Sequence, residues 1–229
     1  MATNLSRTPT VSAFRWVPDF ARGLVRDLRV RWALEEIERP YRTALLAADR
    51  PRDSEYRKWQ PFGQVPAFDD GETRLFESGA ILLYLGIQDE RLLPRETQAR
   101  WTATAWLIAA LNSVEPAISM LASYDIFNAD KGWAKEARPA ALDLIEKRLN
   151  SVSDALGGKD WMAGGFSVAD IMMVTVLRNL RHTDIVAGFE NLAAYVERGQ
   201  ARPAFGRALA AQAADFETRP TQQQQQQGG

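Results

Sequence analysis

The sequence predicts two unlike units: an α/β unit of βαβ-ββα order carrying a mixed four-stranded sheet, then an all-α unit. Three observations carry this. Strand-like and helix-like periods alternate up to about residue 47; an Asp70-Gly71 pair sits between two short apolar runs; and no stretch after Leu92-Leu93-Pro94 reads as a strand. The expected boundaries are 8–88 for the first unit and 95–217 for the second, with 218–229 as a low-complexity tail.

Residues 11–17, VSAFRWV, are β-branched and aromatic and run into Pro18, the mark of a buried strand. From about Phe20 the apolar residues Leu24, Val25, Leu28, Trp32 and Ile37 recur at helical spacing, predicting an amphipathic helix that ends before Pro40. Tyr41–Ala47 is the second strand. A strand, helix, strand sequence of this kind favours parallel pairing with a right-handed crossover. Val65–Asp69 and Thr73–Phe76 then flank Asp70-Gly71, a pair that tolerates the positive φ angles of a tight turn. A helix from Glu77 through Tyr84 closes the unit.

In the second unit, residues 95–123, 131–156, 167–182, 190–199 and 202–216 carry helical patterns. Pro116 lies inside the first and is expected to kink or split it. Ser167-Val-Ala-Asp170 reads as a helix start in which Asp170 reaches back to the cap. The tail TQQQQQQGG has nothing to bury and reads as disordered.

Composition removes several chemistries. The formal net charge of -1 gives no general attraction to nucleic acid or to an anionic membrane. The longest apolar stretches, such as WTATAWLIAALN, read as too short and too polar to cross a bilayer, and MATNLSRTPT lacks an apolar leader core, so the expectation is a soluble, cytoplasmic protein. There is no cysteine, hence no protein thiol nucleophile and no cysteine metal site, and His182 is the lone histidine, so no multi-histidine metal site exists.

Three stretches, VRWALEEIERPY (30–41), PFGQVPAF with LFESGAILLYL (61–85), and GGFSVADIMM (164–173), resemble the glutathione S-transferase family. The resemblance implies a thioredoxin-like first domain, glutathione as co-substrate without a metal, a small hydrophobic electrophile as second substrate, a detoxifying role and a homodimer. It also implies a cis Val65-Pro66 bond, with the Val65 backbone pairing with the cysteinyl part of glutathione and Gln64 reaching its peptide. Glu77 and Ser78 would take the γ-glutamyl end. At a helix start, free backbone N–H groups and the positive dipole end favour a carboxylate, while a glutamate takes the ammonium.

One part of the family pattern is missing. Members usually activate the thiol with a Tyr, Ser or Cys after the first strand, but WVPDFARGLVRDLRVRW (16–32) contains none of these. Lowering a thiol pKa by two units takes only ~2.7 kcal/mol, which backbone N–H groups near Phe20–Gly23 and a guanidinium can supply. Phe20, Arg22 and Arg181 are therefore the expected catalytic set, with Arg26 and Arg178 as further cations. The other reading of Arg22, Arg26 and Arg29 is the solvated face of the helix, and that of His182 a helix-end cation. Phe20, Trp106, Met120 and Tyr124 are candidates to line the electrophile site, or else plain core. The expected function is glutathione transfer, with reduction of organic hydroperoxides as a side activity. The alternative is a non-catalytic binding protein of the same fold. A thiol-disulfide reductase fits poorly, because that chemistry ordinarily passes through a protein cysteine.

Overall fold

The computed structural model describes residues 7–48 and 50–216. The expected tail at 218–229 and residue 217 of the second unit fall outside them. The N-terminal unit runs β1 (Thr10–Phe14), α1 (Asp27–Glu36), β2 (Arg42–Leu46), α2 (Ser54–Trp59), β3 (Ala67–Asp69), β4 (Arg74–Phe76) and α3 (Ser78–Gln88). Its sheet has the order β2-β1-β3-β4, with β1 parallel to β2 and both other pairs antiparallel. This is the predicted mixed sheet of a thioredoxin-like domain. The Asp70-Gly71 turn forms with Gly71 at φ 91°, and the Asp70 carboxylate accepts from the Glu72 and Thr73 amides and from Tyr84 Oη.

The helical unit contains α4 (Thr97–Ala109), α5 (Glu115–Ala122), α6 (Gly132–Leu156), α7 (Val168–Leu177), α8 (Glu190–Gln200) and α9 (Pro203–Ala214). Pro116 interrupts the α-helical pattern of the first predicted helix without ending the helical run, as suits a residue that cannot donate to the preceding turn. The chain adapts with a π-helical stretch at Ala110–Val114, so that Pro116 falls in the first turn of α5; a second π stretch, Ser123–Phe127, follows. Joined this way, Thr97–Phe127 is a single helical run of 31 residues with mean hydropathy 1.4, long and apolar enough to cross a membrane by length and composition alone. That corrects the sequence expectation that the apolar stretch WTATAWLIAALN is too short and too polar. In this fold Ala103, Leu107, Ala110, Ile118 and Leu121 from that run are core residues.

Helix α7 lies at the centre, with every residue from Val168 to Leu177 buried. Its start is the predicted capping box, and Asp170 also accepts from the Met162 amide and from Tyr195 Oη. The role of this motif is structural.

Two expectations on the first helix are corrected. It begins at Asp27 rather than near Phe20, because Asp19–Ala21 form a single tight turn and Gly23, at φ 73°, takes the left-handed conformation that ends it. Of the three arginines expected on a solvated face, Arg29 is buried at 2% exposure, whereas Arg22 and Arg26 do stand exposed; Arg31, one position outside that set, is buried too, at 1%. Helix α1 packs on α3, α7 and α9 as well as on the sheet, so it has little free face. Arg31 is held by Asp27 at 2.7 Å and Asp215 at 2.6 Å. The sequence reading also missed α2, whose six residues are too few to show a period; its start is capped by the Asp53 carboxylate, which accepts from the Tyr56 amide.

Candidate functional site

The predicted ligand-binding residues converge on one edge of the N-terminal unit. Tyr56, delivered by α2, donates its hydroxyl to the Gln64 carbonyl at 2.6 Å and bonds Ser12 Oγ at 2.8 Å. Ser12 Oγ in turn accepts from the Ala67 amide at 2.7 Å. The Gln64 amide is held by Gln60 Oε1. The backbone on both sides of Val65-Pro66, a cis peptide, is thus fixed from below by side chains of β1 and α2. Val65 and Pro66 are buried, and Gln64 is exposed.

Eleven residues beyond Pro66, Glu77 stands exposed at φ 69°, ψ 116°, the residue before the first turn of α3. A non-glycine residue with this backbone carries strain of roughly 1–3 kcal/mol, which recurs where geometry serves a ligand. Ser78, the first residue of the helix, is buried, and its Oγ accepts from Arg29 Nη1 at 3.2 Å.

Arg29 is the hub beneath this helix start. Its Nε donates to Thr175 Oγ1 at 3.1 Å and its Nη2 to Glu115 Oε1 at 2.8 Å. The π stretch before α5 ends where Glu115 turns inward, and Glu115 also accepts from Arg26 at 3.1 Å. Burial pushes the Glu115 carboxyl up, but the Arg29 guanidinium and then Arg26 outweigh it and hold it below the usual glutamate range. Two guanidinium groups therefore share one carboxylate. Sequence periodicity could not find this network, because its members lie on four separate helices.

The other side of Glu115 faces an open groove of about 210 Å³ lined by Leu24, Arg26, Ser119, Ala122, Phe127 and Asn179. Phe20, 43% exposed, meets Phe127 edge-to-face with ring centroids 5.6 Å apart. None of the aromatic and Met candidates lines this groove; Phe20 borders it through its contact with Phe127. Trp106, Met120 and Tyr124 are half-buried and pack on the core. Phe127 was missed; the second π stretch that carries it leaves no signature in the sequence.

The predicted cations fare unequally. Arg22 pairs with Asp19 at 3.1 Å and lies over the Phe216 ring. Arg181 Nη2 donates to the carbonyls of both Phe20 and Arg22 at 2.8 Å, and Arg178 Nη1 to that of Gly23 at 2.8 Å. His182 lies in the turn beyond α7, its Nδ1 3.1 Å from the Asn179 carbonyl and its Nε2 3.5 Å from Asp125. No cluster of three or more His, Asp or Glu side chains suited to a metal ion occurs among the described residues.

Comparison with known proteins decides the family. Residues 21–86 match the glutathione S-transferase N-terminal domain and residues 117–210 the glutathione S-transferase C-terminal domain. The chain belongs to the glutathione S-transferase family. Among curated transferase relatives, glutathione S-transferase F14 of Arabidopsis thaliana is 32% identical over 63% of this chain, and the match spans 62% of that protein's length. Glutathione S-transferase GstA of Escherichia coli O157:H7 is 33% identical over 69% of this chain and 78% of its own. The disulfide-bond oxidoreductase YfcG of Escherichia coli K12 is 32% identical over 77% and 86%. A glutathione transferase from Burkholderia graminis, solved with two glutathione molecules per subunit, superposes with a TM-score of 0.80 at 25% identity, over 90% of this chain and 88% of that one. Each transferase domain thus has its counterpart in one of the two units built above.

Proposed function

We propose that this protein is a glutathione transferase of the cytosol that holds glutathione along the Gln64–Ser78 edge and presents its thiolate to a hydrophobic electrophile in the groove beside Phe20 and Phe127. The observation that carries this reading is Glu77, exposed and strained directly before a helix start that is backed by Arg29. An amino acid bound there meets a carboxylate for its ammonium, and backbone N–H groups with the Ser78 hydroxyl, itself backed by the buried Arg29, for its carboxylate. That is the γ-glutamyl end of glutathione. The Val65 backbone takes the cysteinyl part and Gln64 the peptide beyond it. Phe20 walls the sulfur. The glutathione carried by the Burkholderia graminis protein supports the same ligand here.

Conjugation is then direct: the thiolate attacks the electrophilic carbon, the leaving group departs with the electron pair, and the protein forms no covalent bond. Turnover of chlorodinitrobenzene with glutathione is the test. A rate clearly above that of free glutathione, lost in Glu77→Ala, is the expected result; a rate equal to the uncatalysed one overturns the conjugating reading.

The similarity to a disulfide-bond oxidoreductase favours a second reading despite the absent cysteine. One glutathione thiolate attacks a disulfide, forming a mixed disulfide and releasing one thiolate. A second glutathione attacks that product, giving glutathione disulfide and the second thiol, so two glutathiones supply both electrons. An organic hydroperoxide is reduced with the same two electrons. Glutathione-dependent reduction of hydroxyethyl disulfide or cumene hydroperoxide, measured beside conjugation, ranks these activities.

The homodimer is part of the same proposal. Phe62 is 67% exposed and stacks edge-to-face on Phe76. On α4, Trp101, Ala105 and Ile108 are exposed at positions that share one helix face. Seating the phenylalanine pair of one subunit against this face of its partner covers both. Light scattering on the purified protein reads the outcome, with a monomer at micromolar concentration as the contrary result.

A further inference from the structure

Two arginines of the helical unit spend their donors on backbone of the N-terminal unit. Arg181 Nη2 bridges the Phe20 and Arg22 carbonyls, both at 2.8 Å, and Arg178 Nη1 holds the Gly23 carbonyl at the same distance. Three of four successive carbonyls of one loop are thus bonded across the domain boundary to guanidinium groups. Arg178 is itself fixed by Gln200 Oε1 at 3.0 Å and by the Phe205 ring, 4.8 Å below it. The loop is fitted to these groups. Gly23 adopts φ 73°, and a Cβ there would stand 3.0 Å from Leu209 Cδ1, with Arg178 and Arg181 nitrogens at 3.6 and 3.7 Å.

Neither guanidinium is matched by a carboxylate among the described residues, unlike Arg29, Arg31 and Arg138. Burial and the neighbouring Arg181 draw Arg178 down to about 10, so it remains charged at neutral pH, and burial lowers Arg181 as well. Their positive charge is offset only by carbonyl dipoles. A peptide whose carbonyl accepts from a cation also becomes a better N–H donor on its opposite side.

We propose that Arg178 and Arg181 are positioning residues that clamp the 18–24 loop across the domain boundary, and that this clamp takes the place of the missing hydroxyl in favouring a thiolate beside Phe20. This deepens the glutathione reading and rests on it. In this scheme Arg181 acts through the loop, where both hydrogens of its Nη2 are committed to carbonyls.

The test uses Arg181→Met and Arg181→Lys in the full chain, Arg181 being the more exposed of the two. Lysine keeps the charge but ends one bond short, and so does not reach both carbonyls. Amide hydrogen exchange of residues 18–24 should accelerate about ten-fold or more in both variants, with α7 unchanged. With glutathione bound, ultraviolet titration of the thiolate should show its population at neutral pH falling about ten-fold in both variants. Glutathione affinity should change much less, because the Glu77–Ser78 end is intact. Full retention of thiolate by Arg181→Lys, or unchanged exchange in both variants, overturns the clamp in favour of a purely electrostatic or surface role. A parent protein that takes up no glutathione sinks the functional reading and the loop's role at the sulfur with it. The exchange arm still decides whether the clamp exists.

Discussion

Replacing Glu115 probes the buried centre of the site more directly than any other single change. Arg29 is 2% exposed and Glu115 9% as side chains, and they meet at 2.8 Å. Removing one partner of such a pair strands the other without compensation and costs about 3–5 kcal/mol. Glu115→Ala belongs at the upper end. Glu115→Gln belongs at the lower end, since its amide oxygen still accepts one bond while Thr175 and Ser78 keep the other two donors of Arg29. For a chain of this length each kcal/mol moves the melting temperature by about 2–4 °C, so Glu115→Gln should melt roughly 6–12 °C lower. The assay is thermal and urea unfolding of the parent, Glu115→Gln, Arg29→Met and the double variant. In the double variant both charges leave together, and it should be more stable than the sum of the single losses predicts. Single variants within about 2 °C of the parent, or strictly additive losses, would refute the reasoning.

The same pair predicts an acid limb. Glu115 titrates lower in the folded chain than its unfolded value of about 4.3, so its stabilisation is complete above that value and is lost as pH falls through the folded one. Glu115→Gln should flatten this part of the stability profile, as urea unfolding between pH 5 and 3 would record. Gly23→Ala forces a side chain into the left-handed region against Leu209. It should destabilise by about 1–2 kcal/mol, and an unchanged midpoint of urea denaturation would count against the loop geometry. Tyr56→Phe orphans the Gln64 carbonyl and leaves Ser12 Oγ with the Ala67 amide as its remaining partner. A loss of about 1–3 kcal/mol is expected, with weaker glutathione binding by calorimetry; unaltered affinity would detach α2 from the site.

Much of this was legible because it is local. The Asp70-Gly71 turn, the Ser167–Asp170 cap and the break at Pro116 each follow from the preferences of a few adjacent residues, and each is present. What was hidden depends on distant partners. Arg29 occupies a polar position on a helix with a regular apolar period, and only the packing of α3, α5 and α7 around it makes it a buried hub. Helix α2 was too short to show a period, although Asp53 ahead of Ser-Glu was a readable cap. Phe127 reaches the groove through a π-helical stretch that composition does not announce.

The central claim is that a zwitterionic γ-glutamyl group is held by Glu77 and the start of α3. Calorimetric titration of glutathione into the parent and into Glu77→Ala/Ser78→Ala measures it. Saturable binding by the parent that is lost in the double variant, with both proteins equally folded, is the predicted result. Equal affinity in the two proteins would contradict it.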